Sequence, residues 1–244
     1  MPDDILCTET EISEYLMSLD VTKASGSDGI SARMLKETAM HISPSLTKIF
    51  NLSVKTGTFP SLWKKSNIVP IPKSGDNQSP TNYRPISLLP ILGKLLEKHF
   101  HNIIAYHISS TQQFANAQWG FQNGKSTVTA LLATTYDWFQ MLDSGKDVCA
   151  VFFDIQKAFD TIPHHALMQK LQHTGLNNHI LHWICSYLTN REQQVLVNGA
   201  TSKSLPVISG VPQGSGAGAT FVSYIHRWSH FNPTLRWQQD DLIC

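Results

Sequence analysis

The chain has 244 residues, with 19 Lys and Arg against 18 Asp and Glu, a formal charge of +1. Its 41% hydrophobic content at so low a net charge excludes a disordered chain, and 14 Gly with 12 Pro exclude collagen-like and low-complexity classes. No apolar run of about 18 residues is present, so neither a spanning helix nor a membrane partner is expected. The acidic start, Met1-Pro2-Asp3-Asp4, does not have the form of a secretory or transit leader. A charge near zero does not exclude nucleic acid, because opposite charges can be segregated in space. Cys7, Cys149, Cys185 and Cys244 lack the close spacing of a zinc knuckle or redox pair. Buried free thiols in a reducing, intracellular compartment are expected, with nucleus and cytoplasm both open.

Thr8-Glu9-Thr10-Glu11 has the form of a capping box, and Ile12, Tyr15, Leu16 and Leu19 follow at helical spacing. A helix over 9–19 is predicted. The breaker-rich loop Lys23–Gly29 follows, then helices over 31–38 and 43–56, the last ended by Gly57. Ile68–Lys73 is β-branched and limited by proline, which predicts an edge strand. A turn at 74–77 and a returning arm over 82–89 make a hairpin that carries Lys73 and Arg84. Helices are predicted over 92–109, 127–142, 165–174 and 178–189. Asp147–Asp154 reads as a buried apolar strand ending in a carboxylate. A second hairpin pairs 193–197 with 204–207 around Gly199 and Ala200. Helices and hairpins in this order make an α+β fold, not a βαβ repeat.

Three segments could carry chemistry. Gly124-Lys125-Ser126 resembles the end of a phosphate-binding P-loop, but the earlier glycine that pattern requires is Trp119. Phe153-Asp154-Ile155-Gln156-Lys157-Ala158-Phe159-Asp160 places a carboxylate at a strand end. There it serves either as a helix cap or as a ligand for a hard cation. Ser209-Gly210-Val211-Pro212-Gln213-Gly214-Ser215 is a thinly covered backbone: an ordinary turn, or a surface that a base pair or phosphate approaches closely.

Taken in order, Lys23–Lys36, Ile68–Lys73, Asn82–Leu89, Gln118–Thr127, Phe153–Asp160 and Ser209–Ser215 resemble the reverse transcriptase domain of non-LTR (LINE-type) retrotransposons. The likeness is greatest to the jockey and CR1-like groups. It implies a right-handed polymerase with fingers over 66–146, a partial palm over 147–215 and an N-terminal helical extension over 1–65. It implies Mg²⁺-dependent addition of deoxynucleotides to a primer 3′-OH, with an RNA template, a DNA primer and deoxynucleotide triphosphates as partners. Asp154 matches the first catalytic aspartate, with the Ile155 carbonyl as a further metal ligand. Phe159 matches the steric gate against a 2′-hydroxyl. Lys73 and Arg84 match the cations that hold the triphosphate. Gln213, with Gly210, Pro212 and Gly214, matches the segment beside the nascent base pair and template. Gln122 departs from the family, where many relatives carry Arg.

Residues 216–244 change character, and no family motif survives in them. Reading the second and third bases of each codon with the first base of the next, permitted codons from Gly216 spell VLGPLLFLIYIDGLTSTLLSDGSKMTLYA. That string resembles the family's continuation toward its Asp-Asp turn. Trp228 and Trp237, each with a single codon, force a Gly apart from any choice. The tail is therefore expected to be out of frame, with Asp240 and Asp241 as accidents of that frame and the polymerase truncated. The catalytic pair is then missing, and an inactive, poorly soluble polymerase fragment is expected. The alternatives are a non-catalytic remnant that binds nucleic-acid phosphates through Lys64, Lys65, Lys73 and Arg84, and a product without function.

Overall fold

The computed structural model describes residues 5–76, 78–111, 118–120, 122, 124–216, 218 and 221. Three helices open the chain: α1 (Glu9–Met17), α2 (Ala32–Glu37) and α3 (Ala39–Thr56). The capping box is formed, with Glu11 N–H donating to Thr8 Oγ1 at 3.2 Å and Thr8 N–H to Glu11 Oε2 at 2.7 Å. Gly57 ends α3 at φ 63°, the left-handed conformation a C-terminal glycine supplies at little cost. α3 begins earlier than the sequence implies and runs through Pro44. Burial of Ala39 and Ser43 against the core outweighs the lost backbone donor.

A first hairpin follows, β1 (Lys65–Pro72) with β2 (Tyr83–Leu88), and then α4 (Ile91–Ser110) and α5 (Thr127–Asp143). α6 (His164–Gln172) and α7 (Asn178–Leu188) precede β3 (Arg191–Val197), β4 (Ala200–Thr201) and β5 (Leu205–Val207). The second hairpin is present, its returning arm split into β4 and β5, both paired antiparallel to β3. The two hairpins merge through a parallel pairing of β1 with β3, from Lys65–Glu192 to Ile68–Val195. β1 is therefore not the edge strand expected: β2 lies on one side and β3 on the other. Pro70 and Pro72 fall beyond the part that β3 reaches, so the missing donors are kept off the second ladder. The fold is mixed α/β with a partial sheet.

Ser53, Phe59, Phe100, Trp183 and Tyr187 lie at the centre of the molecule and are buried. Phe100 stacks on Trp183 at 3.5 Å between ring centroids, and Phe59 meets Tyr187 edge-on at 5.2 Å. Trp183 Nε1–H donates to Ser53 Oγ at 2.9 Å and Phe59 N–H to Ser186 Oγ at 3.0 Å, which ties the N-terminal helices to α7. The N-terminal region is thus part of one core rather than an appended layer.

Two expectations fail. Residues 147–154 form no strand, and Val151, Phe152 and Phe153 are 58%, 70% and 61% exposed. An apolar strand of this kind needs ladder partners on its edges, and no described residue supplies them. The thiols also differ from expectation: Cys7 is buried, but Cys149 and Cys185 are exposed, and all three are free. Cys244 and most of the tail lie outside the described residues. No helix of the described residues is long and apolar enough to cross a membrane.

Candidate functional site

The first hairpin sets the geometry. Lys73 N–H donates to the Asn82 carbonyl at 2.9 Å, making that pair a hydrogen-bonded one. Hydrogen-bonded and open pairs alternate along an antiparallel ladder. Pro72–Tyr83 and Pro70–Pro85 therefore fall on open pairs, where proline loses nothing. Ile71 faces Arg84, and Lys73 lies two residues beyond Ile71. Period-two alternation puts Lys73 and Arg84 on the same face of the hairpin. Asn82 fixes the turn, its Nδ2 donating to the Asp76 carbonyl at 2.8 Å.

The same alternation leaves Ser87, opposite Ile68, on an open pair with its N–H directed away from β1. That N–H donates to the Gln213 carbonyl at 2.9 Å. Loop 209–215 is thereby docked on the outer edge of β2. A Cβ at Gly214 would stand 3.8 Å from Ile86 Cγ2, on the face shared with Arg84. At its other end the loop is docked on the turn after Asp154. Val211 N–H donates to the Phe159 carbonyl and Gly210 N–H to the Ile162 carbonyl, both at 2.8 Å. Ser209 Oγ donates to the Asp160 carbonyl at 3.0 Å, and His164 Nε2 to the Gly210 carbonyl at 2.8 Å. Gly210 has φ 80°, and a Cβ there would lie 2.5 Å from the Phe159 oxygen. Only glycine fits.

Phe159 is half-buried against the core, Ile155 is partly buried, and Pro212 and Gln213 lie half-buried in the loop. Lys157, within the same turn, holds φ 55° without being glycine. Asp154 is exposed, caps none of the described helices and makes no hydrogen bond with a described residue. Asp160 reaches the surface, yet packing around its carboxyl raises its pKa, an effect that Lys157 partly offsets. Among the described residues no group of three His, Cys, Asp or Glu side chains is gathered as a metal site would require. Asp154 alone does not fit a two-metal centre. The carboxylates Asp240 and Asp241 lie outside the described residues.

A family model described as reverse transcriptase (RNA-dependent DNA polymerase) matches residues 71–233, from within β1 to beyond Ser215. The chain belongs to the reverse transcriptase family, in its non-LTR retrotransposon branch. The probable RNA-directed DNA polymerase from transposon BS of Drosophila melanogaster is 33% identical over 87% of this chain and 24% of its own length. The RNA-directed DNA polymerase from mobile element jockey of the same organism is 32% identical over 88% of this chain and 24% of its own length. The Retrovirus-related Pol polyprotein from type-1 retrotransposable element R2 of Popillia japonica is 28% identical over 78% of this chain and 26% of its own length. The chain thus spans about a quarter of the length of these relatives.

In this reverse transcriptase chain hydrogen bonds join Gln213 to β2 and Val211 to Phe159, while Lys73 and Arg84 share one face of the hairpin nearer its turn. Among the described residues the fold gathers no group of three metal-ligating side chains that includes Asp154. Lys64 is buried, not displayed beside Lys73 and Arg84 on an open surface. Sequence reasoning passed over Gly26, where a Cβ would lie 2.4 Å from Pro90 N. That close crossing, with Ser27 Oγ donating to the Lys65 carbonyl at 2.8 Å, presses loop 23–29 against the start of β1. The isolated glycine between Ser25 and Ser27 was the available signal. Tyr187 and Glu97 were also missed. The Tyr187 hydroxyl donates to Glu97 Oε2 at 3.1 Å in the core, and Ser215, the loop's last residue, is buried.

Proposed function

We propose that the chain is the fingers and part of the palm of a non-LTR retrotransposon RNA-directed DNA polymerase, and that by itself it does not polymerise. The single observation that carries this reading is the double docking of loop 209–215, on Ser87 at one end and on Phe159 at the other. Three segments distant in sequence meet there in the order a nucleotide would need. Lys73 and Arg84 hold the triphosphate by charge-assisted contacts. Phe159 supports the sugar from below and excludes a 2′-hydroxyl. Gln213 and the bare backbone at Gly210, Pro212 and Gly214 border the base pair and template. The family reaction adds a deoxynucleotide to a primer 3′-OH by in-line phosphoryl transfer, and Mg²⁺ supplies its charge stabilisation when bound. Asp154 and the Ile155 carbonyl are this chain's contribution to that ion. One carboxylate does not hold two metals, so the residues bind and orient without completing the chemistry.

Residues 216–244 are, in this reading, out of frame. The nucleotide sequence beyond the Ser215 codon tests this directly: codons that do not spell the VLGPLLFLIYI string in the next frame refute it. Primer extension on an RNA template with Mg²⁺ tests the activity, beside binding of an RNA–DNA hybrid. The expected result is binding without extension. Extension by the purified chain would sink the claim of inactivity. Absence of hybrid binding would remove the polymerase reading of the cationic hairpin and leave a product without function.

A further inference from the structure

Lys64 and Arg191 are 8% and 3% exposed, a degree of burial that cations reach only when paired. They are also neighbours. Lys65 pairs with Glu192 in the parallel ladder, and Glu192 N–H donates to the Lys64 carbonyl at 3.2 Å. Adjacent strands lie about 4.8 Å apart, so the residues one step earlier, Lys64 and Arg191, stand side by side. Like charges in that relation are unfavourable. Arg191 has partial compensation: its Nη1–H donates to the Tyr187 carbonyl at 3.1 Å, and its guanidinium lies 4.9 Å from the Tyr187 ring. Glu97, a buried carboxylate, accepts the Tyr187 hydroxyl at 3.1 Å. Neither cation forms an ion pair with a described residue, and Lys64 makes no side-chain hydrogen bond with one. Burial and the Arg191 charge both push the Lys64 pKa down. Among the described residues two cations thus stand without a neutralising partner at the start of β1 and β3, where two apolar side chains would be cheaper.

We propose that Lys64 and Arg191 form an oxyanion site that takes a phosphate group. Resting on the polymerase reading, that phosphate is a phosphodiester of bound nucleic acid; without it, the same chemistry accepts free phosphate. The site lies at the start of β1 and β3, apart from the Lys73 and Arg84 face at the far end of β1. Lys64 supplies a point charge and Arg191 a planar fork already held by Tyr187.

Thermal unfolding of the full chain, in dilute solution, in potassium phosphate and in potassium chloride of matched ionic strength tests the site. Phosphate well above its Kd should raise the midpoint by about 3 °C or more. Lys64→Met keeps the buried stem, so it should abolish that rise without lowering the midpoint in chloride. Lys64→Arg should retain the rise. Equal wild-type midpoints in the two salts, or a Lys64→Met midpoint lowered equally in both, overturns the proposal. The sources are separated by RNA–DNA hybrid binding as salt is varied. One lost phosphate contact should reduce the log–log slope of Lys64→Met by about 0.7 to 0.9. An unchanged slope overturns the phosphodiester assignment. A wild type that shows the phosphate shift but binds no hybrid supports the anion site while refuting the polymerase reading.

Discussion

Gly210 rests directly on the carbonyl of Phe159: a Cβ there would stand 2.5 Å from that oxygen, which accepts the Val211 N–H at 2.8 Å. Gly210→Ala must both adopt φ 80° and push the two backbones apart. We expect a loss of about 1–3 kcal/mol in urea unfolding, from the left-handed conformation and the displaced contact. Amides of 209–215 should lose exchange protection more than those of α7. Protection unchanged in the variant would mean that the loop is not docked on Phe159.

The N-terminal helices should be inseparable from the rest. Phe50 is fully buried and meets Trp63 edge-on at 5.9 Å, while Ser53 holds Trp183. Phe50→Ala should cost about 3–5 kcal/mol. A chain beginning at Ser66, close to where the family match starts, should show no cooperative thermal transition by circular dichroism. A sharp transition in that shortened chain would contradict the single core.

Stability should fall in alkali. Burial pushes the Cys7 thiol up to about 12, with Glu11 adding to the shift, and burial likewise raises the Tyr187 hydroxyl. A raised folded pKa means that the unfolded chain loses its proton first. The stabilising contribution of Cys7 is therefore complete below the ordinary thiol value of 9.0 and is lost between there and about 12. Urea midpoints should decline across that window, and Cys7→Ala should flatten the decline. Native labelling with a thiol reagent should modify Cys149 and Cys185 quickly and Cys7 slowly, following their exposure.

The chain should self-associate through one apolar region. Leu132, Tyr136 and Phe139, at helical spacing on one face of α5, are 62%, 62% and 64% exposed, and Phe152 and Phe153 are exposed as well. Among the described residues of α5, only Ala130 is buried. Such contiguous apolar surface exceeds what single exposed residues account for. Light scattering at tens of micromolar should report oligomers, which Phe139→Lys with Phe152→Ser should reduce while leaving the urea midpoint within about 0.5 kcal/mol of wild type. A monodisperse monomer in the unaltered chain would refute the association.

The sequence by itself determined what is local. Thr8 with Glu11 and Gly57 marked helix ends because capping hydrogen bonds span one turn. The prolines and β-branched residues of β1, with the returning arm from Asn82, marked the hairpin that carries Lys73 and Arg84. The ordered motifs determined family membership, since their combination is far more specific than any one of them. Only the tertiary structure decided that β1 pairs with β3, because Lys65 and Glu192 lie on separate hairpins and no local pattern encodes a parallel register. It decided the burial of Lys64 and the seat of Gly210 on Phe159, which depend on which backbones cross. It also decided that Asp147–Asp154 stays unpaired: an apolar run specifies that a strand is suitable, but ladder partners elsewhere in the fold determine whether one forms.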